Sequence, residues 1–413
     1  MSSKELRIRV VPSIAEISAS DWNACANSDE SLSQALESSH ARTDSKSESI
    51  GYNPFISHEF LSALEASKSA TARTGWQPQH LALESDDGAI IGVAPCYLKS
   101  HSRGEYVFDA GWAEAYERAG GDYYPKVQVS VPFTPATGPR LLARAGTDRT
   151  AVRTALASGL VELARLREAS SVHVTFLPEA EADLLSTHGF LRRTDQQFHW
   201  ENAGYATFDD FLAALASRKR KAVRRERETA LASGVSVHWL TGADLTEEAW
   251  DAFFTFYMET GSRKWGRPYL TRAFFSQVGE SMRDHILLVM AKRNGRYIAG
   301  ALNFIGSDTL YGRHWGAIEH HPCLHFEVCY YQAIAFAIAR GLRRVEAGAQ
   351  GEHKLARGYL PVTTHSAHYI ADPSLRRAIA DYLTRERRYV DAAHDELAAL
   401  APFRKNSPKE FDR

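Results

Sequence analysis

Between Glu346 and Ile370 the chain reads EAGAQGEHKLARGYLPVTTHSAHYI, and the residue types best suited to chemistry are gathered there. Gln350, Glu352, His353, Lys354 and Arg357 follow one another within a segment that begins and ends like buried β-strand. A strand that stops, exposes polar groups and resumes builds a site. His353 titrates nearest neutral pH, and a glutamate such as Glu352 reaches the same range when burial raises it, so both are candidate general bases. Gln350, Lys354 and Arg357 can orient a carboxylate, a phosphate or a carbonyl. Just upstream, residues 326–339 (FEVCYYQAIAFAIA) are apolar nearly all round, which predicts a helix covered on most faces. His325 and Glu327 stand at its start, where free N–H groups and the positive dipole end favour anions. Glu327 there is either a helix cap or a third candidate base, facing a cleft beside the strand at 344–346.

A second chemical feature is the run RKRKAVRRER at 218–227. The whole chain has a net charge of −1, so this run is a local anomaly. Arg218, Lys219, Arg220, Lys221, Arg224 and Arg225 suit a polyanion: the phosphates of a cofactor, a nucleotide-linked precursor, or tRNA. A non-catalytic module holding RNA on this helix is the alternative to an enzyme. His314, His320, His321, Cys323, His325 and Cys329 form a zinc-competent set, but their spacings match neither Cys-x2-Cys nor His-Glu-x-x-His. No metal is expected.

These residues must be carried by a large scaffold. At 413 residues the chain exceeds one hydrophobic core, and two domains are expected, at 1–202 and 203–413. A hydrophobic fraction of 44% and a charged fraction of 24% are those of a soluble globular protein. Four cysteines without paired spacing, no signal-peptide pattern and no apolar run long enough for a membrane span together predict a cytoplasmic protein. Oligomeric state is not legible.

In the first half, alternation predicts a strand at 6–11, a helix at 13–27 and another from Asn53 to Ala66, separated by a flexible Ser-rich insertion at 28–49. Residues 80–83 and 89–98, joined by SDDG, read as a hairpin. Three prolines at 131–142 forbid a central strand, and Thr134, Thr137 and Arg140 there belong to either a rigid connection or a ligand loop. A helix at 147–169 and a buried strand at 171–177 follow, then a strand through Trp200. The second half repeats this plan. IIGVAPCYL around Gly92 has its counterpart in YIAGALNFI around Gly300, and in each half a histidine (His199, His368) follows a glycine (Gly189, Gly358) by ten residues. The pattern predicts a tandem duplication of a mixed α/β (α+β) domain. The first copy lacks the GEHK cluster and is expected to be degenerate and structural. His368, in the second, is a candidate substrate contact together with His325.

SRKRKAVRRERETALASGVSVHWL resembles the basic helix, Gly-Val turn and strand that open the second domain of Fem-type aminoacyltransferases. The block from Leu310 to Ile370, with GAQGEHK, and DYYPKVQVSVPFTPATGPRLL in the first half resemble the FemAB-like family of N-acyltransferases of peptidoglycan biosynthesis. The resemblance covers most of the chain. It implies two acetyltransferase-like (GNAT) folds in tandem and transfer of an acyl or aminoacyl group to an amine, with a cell-wall precursor as acceptor. Acetyltransferases that use acyl-CoA carry an Arg/Gln-x-x-Gly-x-Gly/Ala loop at a helix N-terminus. GAIEHHPCLHFE, the equivalent stretch here, has no such glycines. Acyl-CoA and aminoacyl-tRNA both stay open as donor.

Overall fold

The computed structural model describes residues 6–27, 51–265, 268–348 and 351–404, excepting the side chains of residues 262–265 and 352. The Ser-rich insertion at 28–49 lies outside the described residues. The protein is of mixed α/β class, and its chain forms two compact units. One comprises Met1–Asp195, Tyr269–Ser281 and Thr363–Val390; the other comprises Gln196–Pro268, Met282–Val362 and Asp391–Arg413.

In the first unit, Arg7–Val11, His80–Glu84, Ile90–Ala94 and Leu142–Ala143 pair in that order as an antiparallel sheet. The expected hairpin is present, with Leu81 opposite Ala94, but its second strand is shorter than the sequence suggests. Pro95 lacks a ladder donor. The chain turns there, and Cys96–Lys99 joins a different sheet. That sheet runs Trp76–Pro78, Cys96–Lys99, Lys126–Val129, Ser171–Leu177, then the end of Leu360–Ile370. Its Lys126–Val129 and Ser171–Leu177 pair is parallel, as a strand–helix–strand crossover requires. The crossover is Arg149–Leu166, capped by Asp148, which lays Leu156, Leu160 and Leu163 on Val127, Val129, Val172 and Val174. The predicted helix at 13–27 is a 3-10 turn, Ile14–Glu16, then the helix Ala19–Ala26. Ser13 and Ser18 each accept a backbone N–H and so start the chain twice.

In the second unit, neighbouring strands are Val235–Leu240, Ile286–Arg293, Arg296–Ile305, Thr309–Ala317, Arg344–Glu346 and residues 196–201 of Leu191–Glu201. Of these pairs, Thr309–Ala317 with Arg344–Glu346 is parallel and the others are antiparallel. Glu247–Trp265 crosses this sheet so closely that a Cβ on Gly316 would sit 2.1 Å from the Phe256 carbonyl oxygen. Gly92 and Gly300 occupy equivalent places, each on the second strand of an antiparallel hairpin. His199 and His368 lie near the ends of two eleven-residue strands.

Candidate functional site

The site is built where two parallel strands part. Thr309–Ala317 is paired with Arg344–Glu346 only from Thr309 to Tyr311. Beyond Tyr311 it continues beside Arg296–Ile305 alone, while the other strand ends and the chain leaves through Ala347 and Gly348. A helix spanning 324–339 starts beside this opening, preceded by Cys323 in a left-handed conformation, φ 63°. Residues Glu327–Tyr331 of that helix form a π-helical turn. A π-turn inserts one residue and redirects side chains, and is common at functional sites.

The redirected side chains meet the basic helix Ser217–Leu231. Glu327 is fully buried and accepts from Arg227 Nε at 3.0 Å and from Gln332 Nε2 at 2.7 Å. Gln332 in turn accepts from Trp239 Nε1 at 2.7 Å. One residue earlier on the basic helix, Glu226 accepts from Arg357 at 2.8 Å and from the Tyr331 hydroxyl. Glu226 and Arg227 therefore bind two oppositely charged partners side by side. Arg357 also donates to the His353 carbonyl at 2.6 Å and lies 3.4 Å from the centre of the Phe326 ring. Arg227 lies 4.4 Å from the centre of the Phe208 ring, so each guanidinium is oriented by a carboxylate and a ring, which suits its planar fork.

His353 is exposed, and its Nε2 is 3.0 Å from the Tyr330 hydroxyl. Burial pushes the Tyr330 phenol far above its ordinary range, so it stays protonated. His325 stands among aromatic rings, 5.2 Å from Trp315 and 5.4 Å from Tyr330 between centroids. Lys354 is buried and donates to the carbonyls of Ala347 at 2.6 Å and Gly348 at 3.0 Å, which fixes the backbone where the strands part. Burial lowers its ammonium to about 8. His199, 4.0 Å from Glu346, is lowered to about 3, by burial first and by Arg344 and Lys354 after it.

Of the residues expected to act, His325, Glu327, His353, Lys354 and Arg357 are brought together in this unit. Gln350 and the side chain of Glu352 lie outside the described residues. His368 belongs to the first unit, where its Nδ1 is 2.7 Å from His173 Nδ1 and its Nε2 is 2.9 Å from Ser366. On the basic helix, Arg218, Lys221, Arg224 and Arg225 are exposed, whereas Lys219 and Arg220 are half-buried. Glu226, Arg227, Tyr330 and Tyr331 were not singled out as site residues from sequence. A signal for the first two exists: with Val223 and Ala230, both buried, they fall at i, i+3, i+4 and i+7 on one helix face. Among the described residues no group of three or more His, Cys, Asp or Glu is placed to hold a metal. His314 packs on Tyr257 and His321 bonds Glu319.

Residues 13–405 match the FemAB-like family, peptidoglycan biosynthesis/recognition. The chain belongs to this family. Similar solved structures of low identity include FemX, with 14% identity, 76% of this chain and 93% of that one covered and a TM-score of 0.48. A tandem GNAT protein from the clavulanic acid biosynthesis pathway gives 13%, 89%, 99% and 0.45 for the same four quantities. L-PGS from Bacillus licheniformis gives 10%, 86%, 98% and 0.47. Among curated proteins nothing matches the chain. No helix among the described residues is long and apolar enough to cross a membrane.

Proposed function

We propose that this FemAB-like protein is an N-acyltransferase, moving an acyl or aminoacyl group from an activated donor to an amine on a cell-wall precursor, in the cytoplasm. The observation that carries the reading is the exposed His353 imidazole held by Tyr330 beside the opening between the strands. An amine must lose a proton as it attacks a carbonyl, and the developing oxyanion needs a donor. The His353 imidazole, its Nε2 3.0 Å from the Tyr330 hydroxyl, is the base that takes this proton. Arg357 and Lys354 fix the backbone on either side of His353 and act as positioning residues. Gln350 and Glu352, in the same segment, complete the candidate set. Glu327, with Arg227 and Gln332 on its oxygens, holds the basic helix in place.

The exposed cations Arg218, Lys221, Arg224 and Arg225 support a polyanionic donor, and acyl-CoA and aminoacyl-tRNA both qualify. Acyl transfer to a lysine-containing precursor peptide, measured with each donor in turn, tests the proposal. Transfer with one donor, lost in His353→Gln while circular dichroism is unchanged, is the expected result. The second reading, an RNA-holding module, rests on the same exposed cations. It predicts RNA binding that weakens steeply with salt, with no transfer.

A further inference from the structure

An open groove of about 640 Å³ runs between the long helix Pro373–Ala399 and the strand Leu191–Glu201. Asp195 lines it from the strand, and Tyr382, Arg385, Glu386 and Tyr389 line it from the helix; all five belong to the first unit. Tyr382 is 42% exposed and Tyr389 77%. The seven positions between them carry a helix to within about 20° of two full turns and advance it about 10.5 Å. Both rings therefore stand on one helix face, two turns apart.

Exposed tyrosines on a helix are ordinary unless something holds them. Tyr382 is held. Its hydroxyl donates to Glu386 Oε1 at 2.9 Å, and Arg193 donates to both oxygens of Glu386, at 2.7 and 2.8 Å. The side chains of this ion pair are 10% and 18% exposed. Arg193 is anchored in turn, donating to the Phe108 carbonyl at 2.8 Å and lying 5.0 Å from the centre of the Trp112 ring. A fixed ion pair thus orients a ring that stays nearly half in water. Such a ring gives up little freedom when a ligand stacks on it.

We infer that this groove binds a β-1,4-linked sugar chain. Such a chain is a flat ribbon in which every second ring presents the same face, and its two-ring repeat matches the rise from Tyr382 to Tyr389. Each tyrosine stacks on the C–H face of one sugar, with one sugar between them. Exposed Arg385 can only donate and exposed Asp195 can only accept, and sugar hydroxyls along the edge of the chain answer both. Charge narrows the choice further. Arg385 and Asp195 bring one charge of each sign, and Glu386 is matched by Arg193, so the groove has no net charge for a polyanion. A phosphate chain would also meet the Asp195 carboxylate. Among the described residues lining the groove Val390 is the one aliphatic side chain, too little for an amphipathic helix. The groove shares no residue with the proposed acyl-transfer site and does not depend on that reading.

The test titrates the full chain by calorimetry with cellobiose, cellotriose and cellohexaose. Maltohexaose, whose α-linkages coil the chain, and oligouridylate are the comparison probes. Affinity should rise at least tenfold from cellobiose to cellotriose, since three sugars are the shortest chain that reaches both tyrosines. Tyr389→Ala changes an exposed position and should keep the fold by circular dichroism while losing at least tenfold in cellohexaose affinity. Tyr389→Phe keeps the ring and should keep the affinity, and Arg385→Gln should lose several-fold. No binding of cellohexaose, equal binding of maltohexaose, or unchanged affinity in Tyr389→Ala would overturn the proposal. Tighter binding of oligouridylate than of cellohexaose would overturn it in favour of nucleic acid.

Discussion

The two units each bury a set of charges, and the sets differ in how they meet water. In the first unit Lys126, Glu105, Asp109, His173 and His368 are all enclosed, none above 4% exposed. At the candidate site of the second, two ion pairs each join a buried member to a half-exposed one: Glu327 to Arg227, whose side chain is 28% exposed, and Arg357 to Glu226, at 25%. An enclosed network can only hold structure, because no substrate charge reaches it without the fold opening. A network with one member in water can rearrange when a charged ligand arrives. The difference supports the proposal that places acyl transfer in the second unit, on physical grounds beyond the presence of the GEHK cluster.

Removing one partner from each set sharpens this contrast most. Lys126→Met leaves Asp109 buried without its cation and Glu105 with only Lys99, 3.7 Å away, and should cost about 3–5 kcal/mol, read by denaturant unfolding. Glu327→Gln releases Arg227, which can rehydrate, so its cost should be about 2 kcal/mol, smaller than that of Lys126→Met. Equal costs in the two variants would erase the distinction drawn between the units.

Acid supplies the next test. Burial lowers His173 in the first unit, and His199 and His314 in the second, to about 3 against an ordinary value of 6.5. Between those values the unfolded chain binds more protons than the folded one, so stability falls as pH drops from 6.5 toward 3. Lys99, lowered by burial to about 7, and Lys354, lowered to about 8, have the same sign in a higher window. Stability from these two groups grows as pH rises from about 7 toward 10.5. A denaturation midpoint that climbs on going from pH 4 to pH 6.5 is expected. His173→Asn should flatten part of that climb, and an unchanged slope in that variant would remove His173 from the account.

The smallest expected effect is on the exposed cations. Replacing Arg218, Lys221 and Arg225 with Gln should alter stability by less than about 0.5 kcal/mol, since exposed charges contribute little. Binding to a polyanion should nevertheless weaken, with a shallower dependence on salt, by filter binding.

Much of this was legible in the sequence because periodicity reports burial. The stripe Leu156, Leu160 and Leu163 and the segment 326–339, apolar but for Glu327 and Gln332, gave two helices that the fold contains. The π-turn at Glu327–Tyr331 was not legible, since it depends on packing against the basic helix and not on local propensity. Reading the run at 218–227 as a surface for a polyanion concealed Glu226 and Arg227, whose inward direction shows only in their spacing from Val223 and Ala230. His368 was grouped with the GEHK cluster by proximity in sequence, but its strand carries it to His173, 195 positions away.

The most direct test of the account is the rate of acyl transfer by His353→Gln relative to the unaltered chain, with Lys126→Met at a permissive temperature as the comparison. Loss of about 100-fold or more in His353→Gln, with its unfolding midpoint unchanged, is the predicted result. An unaltered rate in His353→Gln, together with a folded Lys126→Met that no longer transfers, would contradict it and move the chemistry to the first unit.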